Sequence, residues 1–140
     1  MGEAYFLRAF YYLHMVNIWG PIPYNSEPFT SVVTEATRVP EEVVYSNILS
    51  DLDKSISAFQ AANYMTKADG RASYWAARAL KARTLLYAAS WLGKSSITTN
   101  STYSGKDLYA LAKSEAEAVI GSGIASFYDK YSDTWSMTNE

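Results

Sequence analysis

The stretch Gly2 to Pro23, GEAYFLRAFYYLHMVNIWGPIP, reads as one helix that is apolar almost all round and ends in a Gly-Pro stop. At about 100° per residue, Glu3, His14 and Asn17 share one narrow polar strip, and all else except Arg8 is hydrophobic or aromatic. Such a helix needs neighbours on more than one side, so three further helices are expected to enclose it. Arg8 falls nearly opposite the polar strip, flanked on the wheel by Ala4, Tyr11, Tyr12, Met15 and Trp19. A lone charge there is too costly to bury, so a carboxylate partner is predicted, with the guanidinium paired in the interior or directed into a cleft.

Beyond this helix, residues 20–40 hold all four prolines and no helical period, which predicts a long loop. Pro21 and Pro23 remove donors and extend the backbone before them, so the chain follows a stiff path. A loop of this length is more often functional than idle, and it carries Tyr24, Asn25 and Phe29, with Trp19 at its mouth. Pro40 then suits the first position of a second helix, with Glu41 and Glu42 favourable at its positive end. Tyr45, Ile48, Leu49, Leu52, Ile56 and Phe59 keep the 3, 4, 7 spacing of one buried face, and Asp51 stands at its margin, within reach of an arginine on a neighbouring helix.

A third helix is predicted from an N-cap at Ser73 through YWAARALKARTLLYAASWL to Gly93. Ala76, Ala79 and Ala82 make part of its surface flat enough for close helix approach. Arg83, between Ala76, Ala79, Leu86, Tyr87 and Ser90, repeats the predicament of Arg8 and is predicted to pair with an acid such as Asp51 or Asp53, with direct ligand contact as the alternative for both arginines. Residues 93–105 read as a polar, mobile loop, and a fourth helix spans about 106–120 with Gly121 or Gly123 as its stop. The tail is expected to fold back over the last helices. The whole, residues 1–140, reads as a single all-α domain of four helices in two irregular tetratricopeptide-like hairpins.

Composition narrows the function. There is no cysteine, which excludes disulfides, thiolate chemistry and Cys-based zinc sites, and a net charge of −2 gives no field for nucleic acid. Aromatics at 15% imply an aromatic core or a platform for flat ligands such as sugar rings. His14 is the only histidine and makes neither a metal site nor a triad alone, so no metal, cofactor or catalytic residue is predicted. Gly93-Lys94-Ser95 lacks the upstream glycine and strand of a phosphate-binding loop, and Asn100-Ser101-Thr102 fits a glycosylation sequon. The Arg8 and His14 interruptions argue against residues 4–19 being a leader or a membrane span, and the uncapped start at Met1-Gly2 suggests a piece of a longer chain.

Four segments in order carry a resemblance: EAYFLRAFYYLHMVNIWGPIPY, RVPEEVVYSNILSDL, GRASYWAARALKARTLLYAA and YALAKSEAEAVIGSGIASFYDKY. Together they resemble the SusD/RagB family of glycan-binding lipoproteins over nearly the whole chain. The resemblance implies a tetratricopeptide-like scaffold on the outer face of the outer membrane, lipid-anchored, which hands oligosaccharides to a TonB-dependent transporter without cleaving them. The lipid-bearing cysteine is absent here, so membrane attachment through it is not expected of this chain. Within the resemblance, Trp19, Tyr24 and Asn25 are the candidate ligand contacts, and Arg8, Arg83 and Asp51 the structural buried charges. The other function considered is a protein-interaction scaffold without a sugar site.

Overall fold

A computed structural model describes residues 1–27, 30, 35–65 and 70–135; Phe29 lies outside the described residues. Four helices follow one another: α1 (Gly2–Trp19), α2 (Glu41–Ala61), α3 (Tyr74–Leu92) and α4 (Leu108–Gly121), with a short 3-10 helix at Tyr131–Trp135. Among the described residues the only extended pairing is two isolated bridges, Ile22 with Val39 and Ile97 with Ser104.

The helix ends follow from local chemistry. Pro40 is the residue before α2 rather than its first turn, and its extended backbone launches Glu41 into the helix. Ser73 caps α3, its hydroxyl accepting from the Ala76 N–H, and Gly93 ends it in the left-handed conformation at φ 63°. α4 starts two residues later than its pattern suggested, because the Asp107 carboxylate accepts from the Tyr109 and Ala110 N–H groups.

α1 and α2 are antiparallel: Asn17 meets Tyr45, Arg8 meets Asp51, and the Gly2 carbonyl meets Ser55. The α2–α3 pair is likewise fastened at Asp53–Lys81, and the α3–α4 pair at Arg78–Glu115. Neighbouring helices stack in order, so α2 is packed on both α1 and α3, whereas α1 meets α3 only marginally and α4 not at all. The central element is therefore α2, not α1. Ala9, Leu13 and Val16 of α1 are buried, but Leu7, Tyr11, Ile18 and Trp19 face outward, so the enclosure expected for this helix is only one-sided.

What suits α2 to the centre is a strong inner stripe of Val44, Tyr45, Ile48, Leu49, Leu52 and Phe59, all buried. Its other side carries Glu42, Ser46, Ser50 and Asp53, at the spacing of one helix face. Residues 98–103 lie along that face. Glu42 accepts from the Thr98 and Thr99 N–H groups and pairs with Lys94; Ser46 bonds Thr99; Asn100 donates to the Ser46 carbonyl and Ser50; the Tyr103 hydroxyl donates to Asp53. Residues 93–105 are thus bound down along α2, with Ile97 and Tyr103 buried, rather than loose. The same contacts occupy the Asn100 amide of the sequon and the Lys94 ammonium of the phosphate-loop lookalike.

Two further expectations are corrected. Arg83 is exposed and joins none of the ion pairs among the described residues. The buried face of α3 is instead Ala77, Leu80, Thr84, Leu85, Ala88 and Ala89, on the opposite side of the helix. The tail does not cover the last helices with its rings: Phe127, Tyr131 and Trp135 all point to solvent.

Candidate functional site

The proline-bearing loop turns at Gly20 (φ 68°), buries Ile22, and is closed at its base by the Val39 N–H donating to the Ile22 carbonyl at 3.0 Å. From there it runs back along α1. Tyr24 lies on Tyr12 with ring centroids 4.4 Å apart, the Asn25 N–H donates to the Tyr12 hydroxyl at 3.0 Å, and the Ser26 carbonyl accepts from Arg8 Nη1 at 2.6 Å. Loop numbers rise as helix numbers fall, so the two segments are antiparallel.

Asp51 is the hub of this clasp. Arg8 Nε donates to its Oδ2 and Nη2 to its Oδ1, both at 2.7 Å, and the Tyr24 hydroxyl donates to Oδ2 at 2.8 Å. The carboxylate is 2% exposed while the guanidinium keeps 26%, so the acid sits inside and the base bridges it to the surface. Two parallel charge-assisted bonds fix the guanidinium plane. The hydrogen bond to Asp51 holds the Arg8 proton more tightly, against the opposing pull of burial. Burial, then the bond to Asp51, pushes the Tyr24 hydroxyl far above its usual range, so it stays a donor.

The three candidate contacts are therefore unlike one another. Trp19 is 63% exposed, two turns along α1 from Tyr12 on the same face. Asn25 is exposed, with only its backbone N–H engaged in the clasp. Tyr24 is half-buried, its hydroxyl spent on Asp51 and its ring placed between Tyr12 and Arg8, so it anchors the loop rather than offering a free face.

A second feature escaped sequence reasoning. A cleft of about 650 Å³ opens between α1, α3 and the end of α4, lined by Phe6, Leu7, Trp75, Ala76, Ala79 and Ile124, with the Glu3–Arg71 ion pair at its rim. Ala76 and Ala79 do form a flat face, but it borders open space instead of a helix. The only hint in the sequence was the pairing of that alanine face with Trp75 in an apolar stretch. Among the described residues no group of three His, Asp or Glu side chains gathers as a metal would require, and no helix is long and apolar enough to cross a membrane.

Comparison with known proteins bears on this geometry. A SusD-like family model, described as "Starch-binding associating with outer membrane", matches residues 1–86, which hold α1, the proline-bearing loop, α2 and the first part of α3. The SusD-like protein P25 of Formosa agariphila is 34% identical over 92 residues, 65% of this chain and 17% of that protein. A SusD-like protein of Bacteroides ovatus is 33% identical over 95 residues, 65% of this chain and 16% of that one. A crystal structure of a SusD-like protein from Bacteroides fragilis superposes with a TM-score of 0.71 at 25% identity, over 99% of this chain and 24% of the other. A second Bacteroides fragilis structure, of a SusD superfamily protein, gives 0.66 at 25% identity over 94% and 25%. The chain thus spans about a sixth of the curated relatives and a quarter of the solved ones. It belongs to the SusD-like family.

Proposed function

We propose, with SusD-like membership as the premise, that this chain is a helical unit, residues 1–140, of a non-catalytic glycan-binding protein. That protein works at the outer face of the outer membrane, beside a TonB-dependent transporter that receives the oligosaccharide. The observation that carries the reading is the starch-binding family match over the very segment that contains Trp19 and the clasped loop. In this reading the exposed Trp19 indole stacks on the C–H face of a pyranose, and the Asn25 amide offers one acceptor and two donors to ring hydroxyls. Tyr24 shapes the site from beneath. Binding of this kind needs neither nucleophile nor metal.

Isothermal titration of the chain with malto-oligosaccharides, and with a panel of other neutral oligosaccharides, tests it. Trp19→Ala and Asn25→Ala are each expected to weaken binding about tenfold, the equivalent of one stacked ring or one pair of hydrogen bonds. Silence of the wild-type chain across the panel would overturn the sugar reading. A second reading, an interaction scaffold, is favoured by one observation: the apolar cleft between α1 and α3, lined in part by Phe6, Leu7 and Trp75. That surface has the character of a protein contact.

A further inference from the structure

We propose that Arg8 is the positioning residue of the loop: it locks residues 24–26 against α1 so that Trp19 and Asn25 are presented in one fixed arrangement. Three consecutive loop residues are tied into the cluster by three different groups. Tyr24 is held through its hydroxyl on Asp51, Asn25 through its N–H on Tyr12, and Ser26 through its carbonyl on Arg8. Among the described residues, Arg8 is the one side chain that bonds both the buried acid and the loop backbone.

Its geometry is what allows this. Nε and Nη2 face the Asp51 carboxylate side by side, which leaves Nη1 directed the other way, to Ser26. The guanidinium also lies over the Tyr24 ring at 5.8 Å and the Tyr5 ring at 5.7 Å, so the plane that serves the acid also supports the anchor tyrosine. A lysine at position 8 would keep the positive charge for Asp51 but cannot present a planar fork and a rear donor together. Charge neutralisation and loop positioning are therefore separable by one substitution.

The consequence for ligand affinity rests on the sugar reading above; the consequence for the loop does not. Ordering a loop before binding spares the complex that entropy cost, so losing the lock lowers affinity without removing any contact to the sugar.

The test compares wild type, Arg8→Lys and Tyr24→Phe by amide hydrogen exchange and by malto-oligosaccharide titration. For Arg8→Lys, exchange at the Asn25 amide is expected to speed up about tenfold or more, while the amides of α2 from Ile48 to Leu52 keep their rates after correction for global stability. Affinity should fall about tenfold in parallel. Tyr24→Phe, which removes one bond from Asp51, should move both readouts in the same direction by less. Unchanged Asn25 exchange in both variants overturns the proposal, whatever happens to melting temperature. Weakened affinity with unchanged exchange overturns it too, in favour of direct contact between Arg8 and the sugar. If wild type binds no oligosaccharide, the sugar reading fails, and the exchange rates alone decide the role of Arg8.

Discussion

Arg8 on α1 and Arg83 on α3 look alike in sequence, each a cation in mid-helix among alanines, leucines and aromatic residues, yet the fold treats them as opposites. Arg8 faces a buried carboxylate on α2, and Arg83 faces solvent. A helical wheel tells which side chains surround a charge on its own helix. It does not tell whether another helix covers that face, and cover is what turns an arginine into an obligation. For Arg8 the deciding residue lies 43 positions away, at the height on α2 where antiparallel packing brings it opposite.

Removing the cation from the buried pair tests the first half of this contrast. Arg8→Leu leaves Asp51 in the interior with only the Tyr24 hydroxyl as a hydrogen-bond partner among the described residues, and breaking a buried pair from one side costs several kcal/mol. Because the guanidinium keeps some exposure, a loss of about 3 kcal/mol is expected in urea unfolding at pH 7. The double variant Arg8→Leu with Asp51→Leu should recover much of that loss, since it removes the stranded charge. Equal losses in single and double variants would show that the pair does not act as a unit.

Glu42 supplies an intermediate case, a charge on α2 covered by a loop rather than a helix. The Lys94 ammonium, then the Thr98 N–H, hold its carboxyl down to about 2 from an ordinary 4.5. A lowered carboxylate pKa means that the folded state binds its proton less readily than the unfolded chain. Its contribution is complete above pH 4.5 and fades as pH falls toward 2. Urea titrations between pH 5 and pH 2 should therefore show Glu42→Gln less stable than wild type by about 2 kcal/mol at the upper end, and the gap closing toward the lower end. A gap that stays constant with pH would mean that the Thr98 and Lys94 bonds do not depend on the charge.

The same contrast explains what was legible in the sequence. Each helix was visible, because Ser73, Gly93 and the Pro40-Glu41 junction punctuate the chain and because α2 has one clear apolar stripe. The Arg8–Asp51 contact was also within reach, since Asp51 sits at the edge of that stripe and a cation had to be matched. The burial of α3 was not, because both of its sides are apolar. The helix buries Leu80 and Leu85 together with Ala77, Ala88 and Ala89, and turns Leu86, Tyr87 and Trp91 outward, so residue size alone does not tell the buried side from the exposed one. The docking of residues 98–103 was hidden as well. It is made of single polar bonds from Glu42, Ser46, Ser50 and Asp53, and such residues read equally well as a solvated face. As for the candidate contacts, sequence grouped Trp19, at the end of the first helix, with Tyr24 and Asn25 of the loop that follows, but only the bond from Tyr24 to Asp51 separates the anchor from the two exposed side chains.

Arg83 has no acid opposite it among the described residues, and its wheel neighbours Ala79, Leu86, Tyr87 and Ser90 are themselves exposed. Replacing it by leucine strands no partner and opens no cavity, so Arg83→Leu should change stability by no more than about 0.5 kcal/mol. The measurement is the same urea titration at pH 7, run at low protein concentration so that the added leucine cannot drive association through the outer face of α3. A loss above about 1.5 kcal/mol would mean that this face is covered in solution, and the distinction drawn between the two arginines would fail with it.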